Sequence, residues 1–262
     1  YVSMNQDSVN VELGLNDLKL RLKNIRKILI DEHQSLFLDQ LDDLILKVEI
    51  FGYHFATLDI RQDSRIHSYV FNKIIKKIKP TEFNNYTRSK YIEKSKFLSS
   101  IHGDFKPSFF SDELVSSTLG SIRAMQKIQK SNGESGCHRY IISNNQTAIN
   151  ILEVFTMFKI SGWKKNTFDI IPLFETISDL DIAVEIMEKI YLNDAYREHL
   201  SYRNNEQTIM LGFSDGTKDG GYLTANWKIL TAKEKLTRIS RKHKIKVKFF
   251  DGRGGPPARG GG

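Results

Sequence analysis

The feature that most constrains this chain is a change of rhythm near Tyr140, where short apolar runs begin to alternate with longer amphipathic ones. Tyr140 to Ser143 reads as a strand and Ala148 to Ile160 as a helix. Phe168 to Phe174 and Asp179 to Leu192 form a second such pair, and Thr208 to Phe213 and Tyr222 to Lys242 a third. Ile245 to Phe250 is a last strand. Strands separated by helices make a parallel sheet with right-handed crossovers. With a further strand expected at about Tyr53 to Leu58, the count is five. No internal repeat or linker-like composition interrupts the chain.

The earlier part reads as helical. Leu18, Leu20, Leu22, Ile25, Ile28, Leu29 and Ile30, then Leu36, Leu38, Leu41, Leu44, Ile45 and Val48, fall at helical spacing, as two helices or one long one. Residues 1–50 are thus a helical lead-in and 51–262 the part that carries strands with their helices. Ser64 to Ile78 is a helix, Pro80 to Asn85 a break, and Thr87 to Pro107 irregular. Asp112 caps a helix that runs to about Gln129, and Ser131 to Gly136 is a polar loop.

At 262 residues and 40% hydrophobic, the chain can bury a core as one large domain or two small ones. The lone Cys137 excludes an internal disulfide framework and fits a reducing compartment. No run approaches the length of a membrane span and no signal-peptide core is present, so the expected location is cytoplasmic, with no membrane partner. The net charge of +8 fits nucleic acid, anionic small substrates or a solvated basic surface. Much of it sits in mixed runs such as Lys73 to Lys79 and Arg238 to Lys244, which read as the polar faces of amphipathic helices.

Where the strands stop, charges follow among glycines. Arg61 follows the first expected strand, Glu175 follows Phe168 to Phe174, Asp215 follows Thr208 to Phe213, and Arg253 follows Ile245 to Phe250. In a barrel of parallel strands that rim is where active sites are built. Glu175 and Asp215 are a candidate metal pair, since Mg²⁺ and Mn²⁺ take hard oxygen ligands and keep several waters. The ordinary alternative makes both of them capping or turn residues. Arg61, Lys218, Arg253 and Arg259 are an anion set, because arginine forks onto phosphate or carboxylate. For Arg61 the alternative is an ion pair with Asp59 or Asp63, and for the two terminal arginines a disordered Arg-Gly-Gly tail.

These stretches resemble the phosphoenolpyruvate carboxylase family. The segment Met210 to Gly221 and the ending Phe249-Phe250-Asp251-Gly252-Arg253-Gly254-Gly255 carry the resemblance. So do Asp59-Ile60-Arg61-Gln62, Pro172-Leu173-Phe174-Glu175-Thr176 with Asp179-Leu180, and more weakly Tyr140 to Ser143. They stand in the family's order from Phe51 to Gly262. The resemblance implies a helix-rich α/β fold of the TIM-barrel (β/α) type, here an incomplete barrel, because five strands cannot close one of eight. It implies the central catalytic part, 1–262, of one larger domain. The string Thr-Ala-His-Pro-Thr-Glu, which carries the family's histidine, is not in this sequence, and the chain alone is expected to be inactive or nearly so.

The implied reaction joins phosphoenolpyruvate and bicarbonate. Bicarbonate attacks phosphorus to give carboxyphosphate and the enolate of pyruvate. Carboxyphosphate releases CO₂, and the enolate captures it as oxaloacetate. The resemblance assigns Glu175 and Asp215 to Mg²⁺ or Mn²⁺, Arg61 and Arg253 to the substrate phosphate, and Lys218 and Arg259 to bicarbonate. Lys218, Arg253 and Arg259 are the implied catalytic residues. Arg259 also serves an acidic feedback inhibitor, aspartate or malate, and a homo-tetramer is implied at full length.

The sequence departs from the family's pattern in places. Asp251 stands where the family has histidine, and a carboxylate there lowers the local positive potential. Pro256-Pro257-Ala258 stiffens the loop between the arginines. Gly216-Thr217 replaces a more usual Ser-Ala. Among the histidines, His54 falls in the expected strand and reads as a core residue. Trp163 and Trp227 read as core rather than stacking platforms. The competing functions are a basic nucleic-acid-binding protein with an Arg-Gly-Gly tail and a non-catalytic scaffold of the same fold.

Overall fold

The structure, a computed structural model, describes residues 13–252. Among the described residues two compact units are distinguishable, 13–58 with 125–138, and 59–124 with 139–252. In the first, α1 (Leu15–Glu32) packs against α2 (Leu38–Phe51). The lead-in is therefore two helices. Gln34, Ser35 and Phe37 between them have φ of 50°, 60° and 59°, which a continuous helix cannot contain. Arg26 fixes the pair through Asp42 at 2.6 Å.

The strand expected at Tyr53 to Leu58 is not one. Gly52 ends α2 at φ 50° and Phe55 sits at φ 58°, so the segment is a turn in which His54 is only half-buried. The true first strand is β1 (Asp59–Asp63). Its sequence, Asp-Ile-Arg-Gln-Asp, lacks the apolar alternation by which a strand is recognised, because charged residues occupy one face.

The second unit continues with α3 (Ser64–Ile78), α4 (Pro80–Arg88), α5 (Tyr91–Ser100) and α6 (Glu113–Asn132), the last crossing into the first unit. Then come β2 (Arg139–Ser143), α7 (Ala148–Ile160), β3 (Asp169–Phe174), α8 (Ile177–Tyr191), α9 (Asp194–Tyr202), β4 (Glu206–Gly212), α10 (Ser214–Lys242) and β5 (Lys246–Gly252). Pro80 starts α4 instead of breaking the chain, since proline suits the first helical position. The region expected to be irregular holds α5, whose first turn is closed by Glu93 accepting from the Lys90 N–H at 2.8 Å. α9, absent from the sequence reading, is capped by Asn193, which accepts from the Tyr196 N–H at 3.0 Å. Asp112 caps α6 as expected, accepting from Leu114 and Val115.

All five strands are parallel and lie in chain order, β1-β2-β3-β4-β5, as in an incomplete β/α barrel. One face carries Tyr140, Ile142, Ile170, Phe174, Ile209 and Leu211, all buried. Helices cover the sheet on that side; α7 packs on β3, α3, α5 and α8 and is buried almost throughout. Phe168 stacks on Phe158 with centroids 4.0 Å apart and on His199 at 4.7 Å. Trp163 joins this cluster, but Trp227 is 66% exposed, against the expectation of a core residue. The other face carries Ile141, Ile171 and Leu173, with Met210 and Phe250 packed against them. Register puts Arg61 beside Ile141, so Arg61 shares this second face.

Candidate active site

The C-terminal ends of the strands are held together by short-range polar chemistry. Asp63 closes β1 and caps α3, accepting from the Arg65 N–H at 2.8 Å. Ser64 donates to the carbonyl of Asn144 at 2.5 Å, tying the exits of β1 and β2. After β3, Thr176 and Asp179 form a reciprocal cap on α8. Thr176 Oγ1 accepts from the Asp179 N–H at 3.1 Å, and Asp179 Oδ2 accepts from Thr176 at 3.0 Å and from Glu175 at 3.2 Å. The capping alternative for Glu175 is thereby filled by its neighbours. The spacing Thr176-x-x-Asp179 is the sequence sign of this cap, and Asp179 fixes the Glu175 backbone through it.

Glu175 is free to face its own site. Its Oε1 accepts from Arg61 Nη2 at 2.6 Å. Arg61 is inside β1 and not beyond it, as the sequence reading had it, but its side chain still reaches the rim. The ion pairs foreseen for it are taken by others: Asp59 binds Arg139 at 2.7 Å and Asp63 binds Arg65 at 2.7 Å. Burial pushes the Glu175 carboxyl above its ordinary value; Arg61 opposes this, and Asp215, Asp179 and Asp63 push it further up. A carboxyl that feels Asp215 as a like charge is one that a shared cation would relieve.

Asp215 lies in the first turn of α10, where its Oδ1 accepts from Lys218 Nζ at 2.7 Å. The start of α10 comes eight residues earlier than expected at Tyr222, because the helical segments before and after Gly221 meet there at φ 77° and ψ 165°. Glycine permits that geometry. The candidate metal pair thus consists of two carboxylates, each also engaged by one cationic side chain. Among the described residues no group of three or more His, Cys, Asp or Glu is placed to hold a metal. Two carboxylates nonetheless suit Mg²⁺ or Mn²⁺, which bind through one or two carboxylates and retain water.

The close approach of β3 and β4 at this end depends on missing side chains. A Cβ on Gly212 would lie 3.1 Å from Glu175 Cα, and one on Gly216 would lie 3.4 Å from the Glu175 carbonyl oxygen. β5 ends at Gly252, paired with Gly212. Asp251 pairs in register with buried Leu211, and its carboxylate is taken by Lys233 of α10 at 2.7 Å. The expected lowering of positive potential by Asp251 is therefore offset locally by Lys233. Arg253, Arg259 and the Pro256-Pro257 stretch lie outside the described residues.

No helix of the described residues is long and apolar enough to cross a membrane. The family model for phosphoenolpyruvate carboxylase matches residues 7–262. Among curated relatives, a phosphoenolpyruvate carboxylase of Nitrosomonas eutropha is 35% identical over 260 residues, covering 95% of this chain and 27% of the relative. That of Synechococcus sp. is 34% identical over 262 residues, covering 95% and 24%. That of Gloeobacter violaceus is 32% identical over 232 residues, covering 85% and 24%. The chain spans about a quarter of the length of the curated relatives it matches.

Proposed function

The chain belongs to the phosphoenolpyruvate carboxylase family, and we propose that its sheet carries the metal- and phosphate-holding part of a site that carboxylates phosphoenolpyruvate with bicarbonate, giving oxaloacetate and phosphate. The observation that carries this reading is the pair of ion pairs at one end of the sheet, Arg61 with Glu175 and Lys218 with Asp215. Each holds a carboxylate suited to a divalent cation and a cation suited to an oxyanion.

Glu175 and Asp215 would hold Mg²⁺ or Mn²⁺, which when bound supplies positive charge against the developing enolate and phosphate oxygens. With both carboxylates engaged there, Arg61 and Lys218 would be released from them. Arg61 then turns to the substrate phosphate, where its planar fork gives two parallel hydrogen bonds. Lys218 turns to bicarbonate, which attacks phosphorus. Carboxyphosphate and the enolate follow; CO₂ leaves the first and is captured by the second. Arg253 joins Arg61 on the phosphate, and Arg259 serves the carboxylation half and an acidic inhibitor, aspartate or malate. Every step moves negative charge, so prepositioned cations act throughout. Cytoplasmic location and assembly into a homo-tetramer belong to the same reading.

Exchange of ion pairs makes a specific demand: cation and phosphate ester must bind cooperatively, because each frees the other's ligand. Calorimetric titration of the chain with phosphoenolpyruvate should give tighter binding in Mn²⁺ than in its absence, and Glu175→Gln should abolish the difference. Equal affinity with and without Mn²⁺ would remove the reading. Elution from a polyanion column by salt alone, with no effect of phosphoenolpyruvate and Mn²⁺, would favour a nucleic-acid binder instead.

A further inference from the structure

Asp219 stands at the end of the short helical segment that opens α10, one turn beyond Asp215. Its Oδ2 accepts from the backbone N–H of Ile177 at 3.2 Å, the first residue of α8, two positions after Glu175. The same two stretches touch again at Gly220, where a Cβ would lie 3.1 Å from Ile177 Cγ1. Gly212 and Gly216 lie against the Glu175 backbone and Gly220 against the Ile177 side chain, so three glycines form a bare strip beside the stretch from Glu175 to Ile177. The strip lets the loop come close but is indifferent to sliding, since glycine offers no side chain to lock against. The polar tie across it is Asp219. Just beyond it, Gly221 breaks the helix, so the segment carrying Asp215 and Lys218 is joined to the long part of α10 through a left-handed residue.

We infer that Asp219 is a positioning residue for the carboxylate pair: by holding the Ile177 N–H it fixes the loop of Glu175 against the segment of Asp215, and so sets the affinity of the pair for a divalent cation. This rests on the reading of Glu175 and Asp215 as the metal ligands. Partners that orient metal ligands from outside typically change affinity by about 10- to 100-fold when removed.

The test measures Mn²⁺ affinity of the purified 262-residue chain, from the free-ion electron paramagnetic resonance signal, for wild type, Asp219→Ala, Asp219→Asn, Glu175→Gln and Asp215→Asn. Asp219→Ala should weaken Mn²⁺ about 10-fold, at the low end of that range, with the metal-free melting temperature unchanged. Asp219→Asn keeps an oxygen acceptor and should stay close to wild type. Amide exchange at Ile177 in the metal-free chain should be faster in Asp219→Ala and unchanged in Asp219→Asn. If Glu175→Gln and Asp215→Asn lose affinity while Asp219→Ala does not, the positioning role is wrong and the metal pair stands. If Asp219→Asn loses as much as Asp219→Ala, Asp219 acts through its charge and the inference fails. If Glu175→Gln and Asp215→Asn both bind as wild type, the metal reading falls and the inference with it.

Discussion

Arg61 Nη2 lies 2.6 Å from Glu175 Oε1, although 114 residues separate them in the chain. Arg61 lies in β1 and Glu175 directly follows β3, strands that are not neighbours, since β2 lies between them. Only a sheet that brings both strand ends to one rim can join them. Arg61 is half-exposed, so the pair contributes little to folding; exposed pairs are worth about 0–1 kcal/mol. Its consequence is electrostatic.

Arg61→Ala should therefore leave stability within about 1 kcal/mol of wild type in urea unfolding. It should strengthen Mn²⁺ binding, because a competing cation leaves Glu175, while abolishing the Mn²⁺-dependent binding of phosphoenolpyruvate. Arg61→Lys should restore the charge without the fork and recover only part of it. Weaker Mn²⁺ binding in Arg61→Ala would mean that the arginine holds Glu175 in place and does not compete for it.

Gly212 and Gly216 should answer differently to alanine. At Gly212 the new Cβ would meet the Glu175 backbone at 3.1 Å, so the loop must shift. At Gly216 the nearest atom is 3.4 Å away and the residue is helical, where alanine is favoured over glycine by about 1 kcal/mol. Gly212→Ala should weaken Mn²⁺ binding, and Gly216→Ala should be neutral or raise the melting temperature. Equal effects of the two on Mn²⁺ would show that the close approach at Gly212 does not set the site.

What the sequence made legible follows from burial. β2, β3, β4 and β5 and the helices α3, α7 and α8 were readable because one face or the whole element is apolar, and apolar periodicity is the strongest local signal. β1 was misplaced because Asp59, Arg61 and Asp63 occupy one of its faces and spoil the apolar pattern. α9 was missed because its signal was a single capping Asn193 among polar residues. Glu175, Asp215 and Arg61 were singled out as candidates by their place at expected strand ends, and Lys218 by its charge among glycines and by resemblance. Which of them pair with which was not legible, since that depends on the sheet bringing distant rims together. Asp179 was visible as a cap and Asp219 was not, because its partner, the Ile177 N–H, is a backbone group 42 residues away.

Phe168 tests the packing between the sheet and α7. It is 1% exposed and lies between Phe158, stacked at 4.0 Å, and His199 at 4.7 Å, with Trp163 edge-on at 5.1 Å. Phe168→Ala should cost about 3–5 kcal/mol, measured by urea unfolding. Phe168→Leu keeps most of the volume and should cost clearly less. Equal losses would indicate that ring stacking, rather than filled space, is what the site requires.

Glu153 gives a pH prediction with a definite sign. It is a 4% exposed carboxyl on α7; its oxygens accept from Tyr86 at 2.6 Å and Ser68 at 2.7 Å. Burial pushes its pKa above the ordinary 4.5, while those two hydrogen bonds and the charge of Lys94 pull it down by less. A carboxyl raised in the folded state holds its proton more tightly there than in the unfolded chain. Its contribution to stability is complete below the ordinary value and is lost as pH rises through the raised one. Two buried histidines on neighbouring elements, His67 and His199, are held down at about 4 and act in the opposite sense, losing stability as pH falls below the usual imidazole range. The contribution of Glu153 is therefore read as a difference between proteins. Glu153→Gln should be less stable than or equal to wild type at pH 4.5 and gain on it steadily toward pH 8, because the amide keeps an acceptor for Tyr86 and never ionises. Urea unfolding of both proteins across that range is the measurement. Parallel curves would mean that Glu153 is ionised throughout, with Lys94 and the two hydroxyls outweighing its burial.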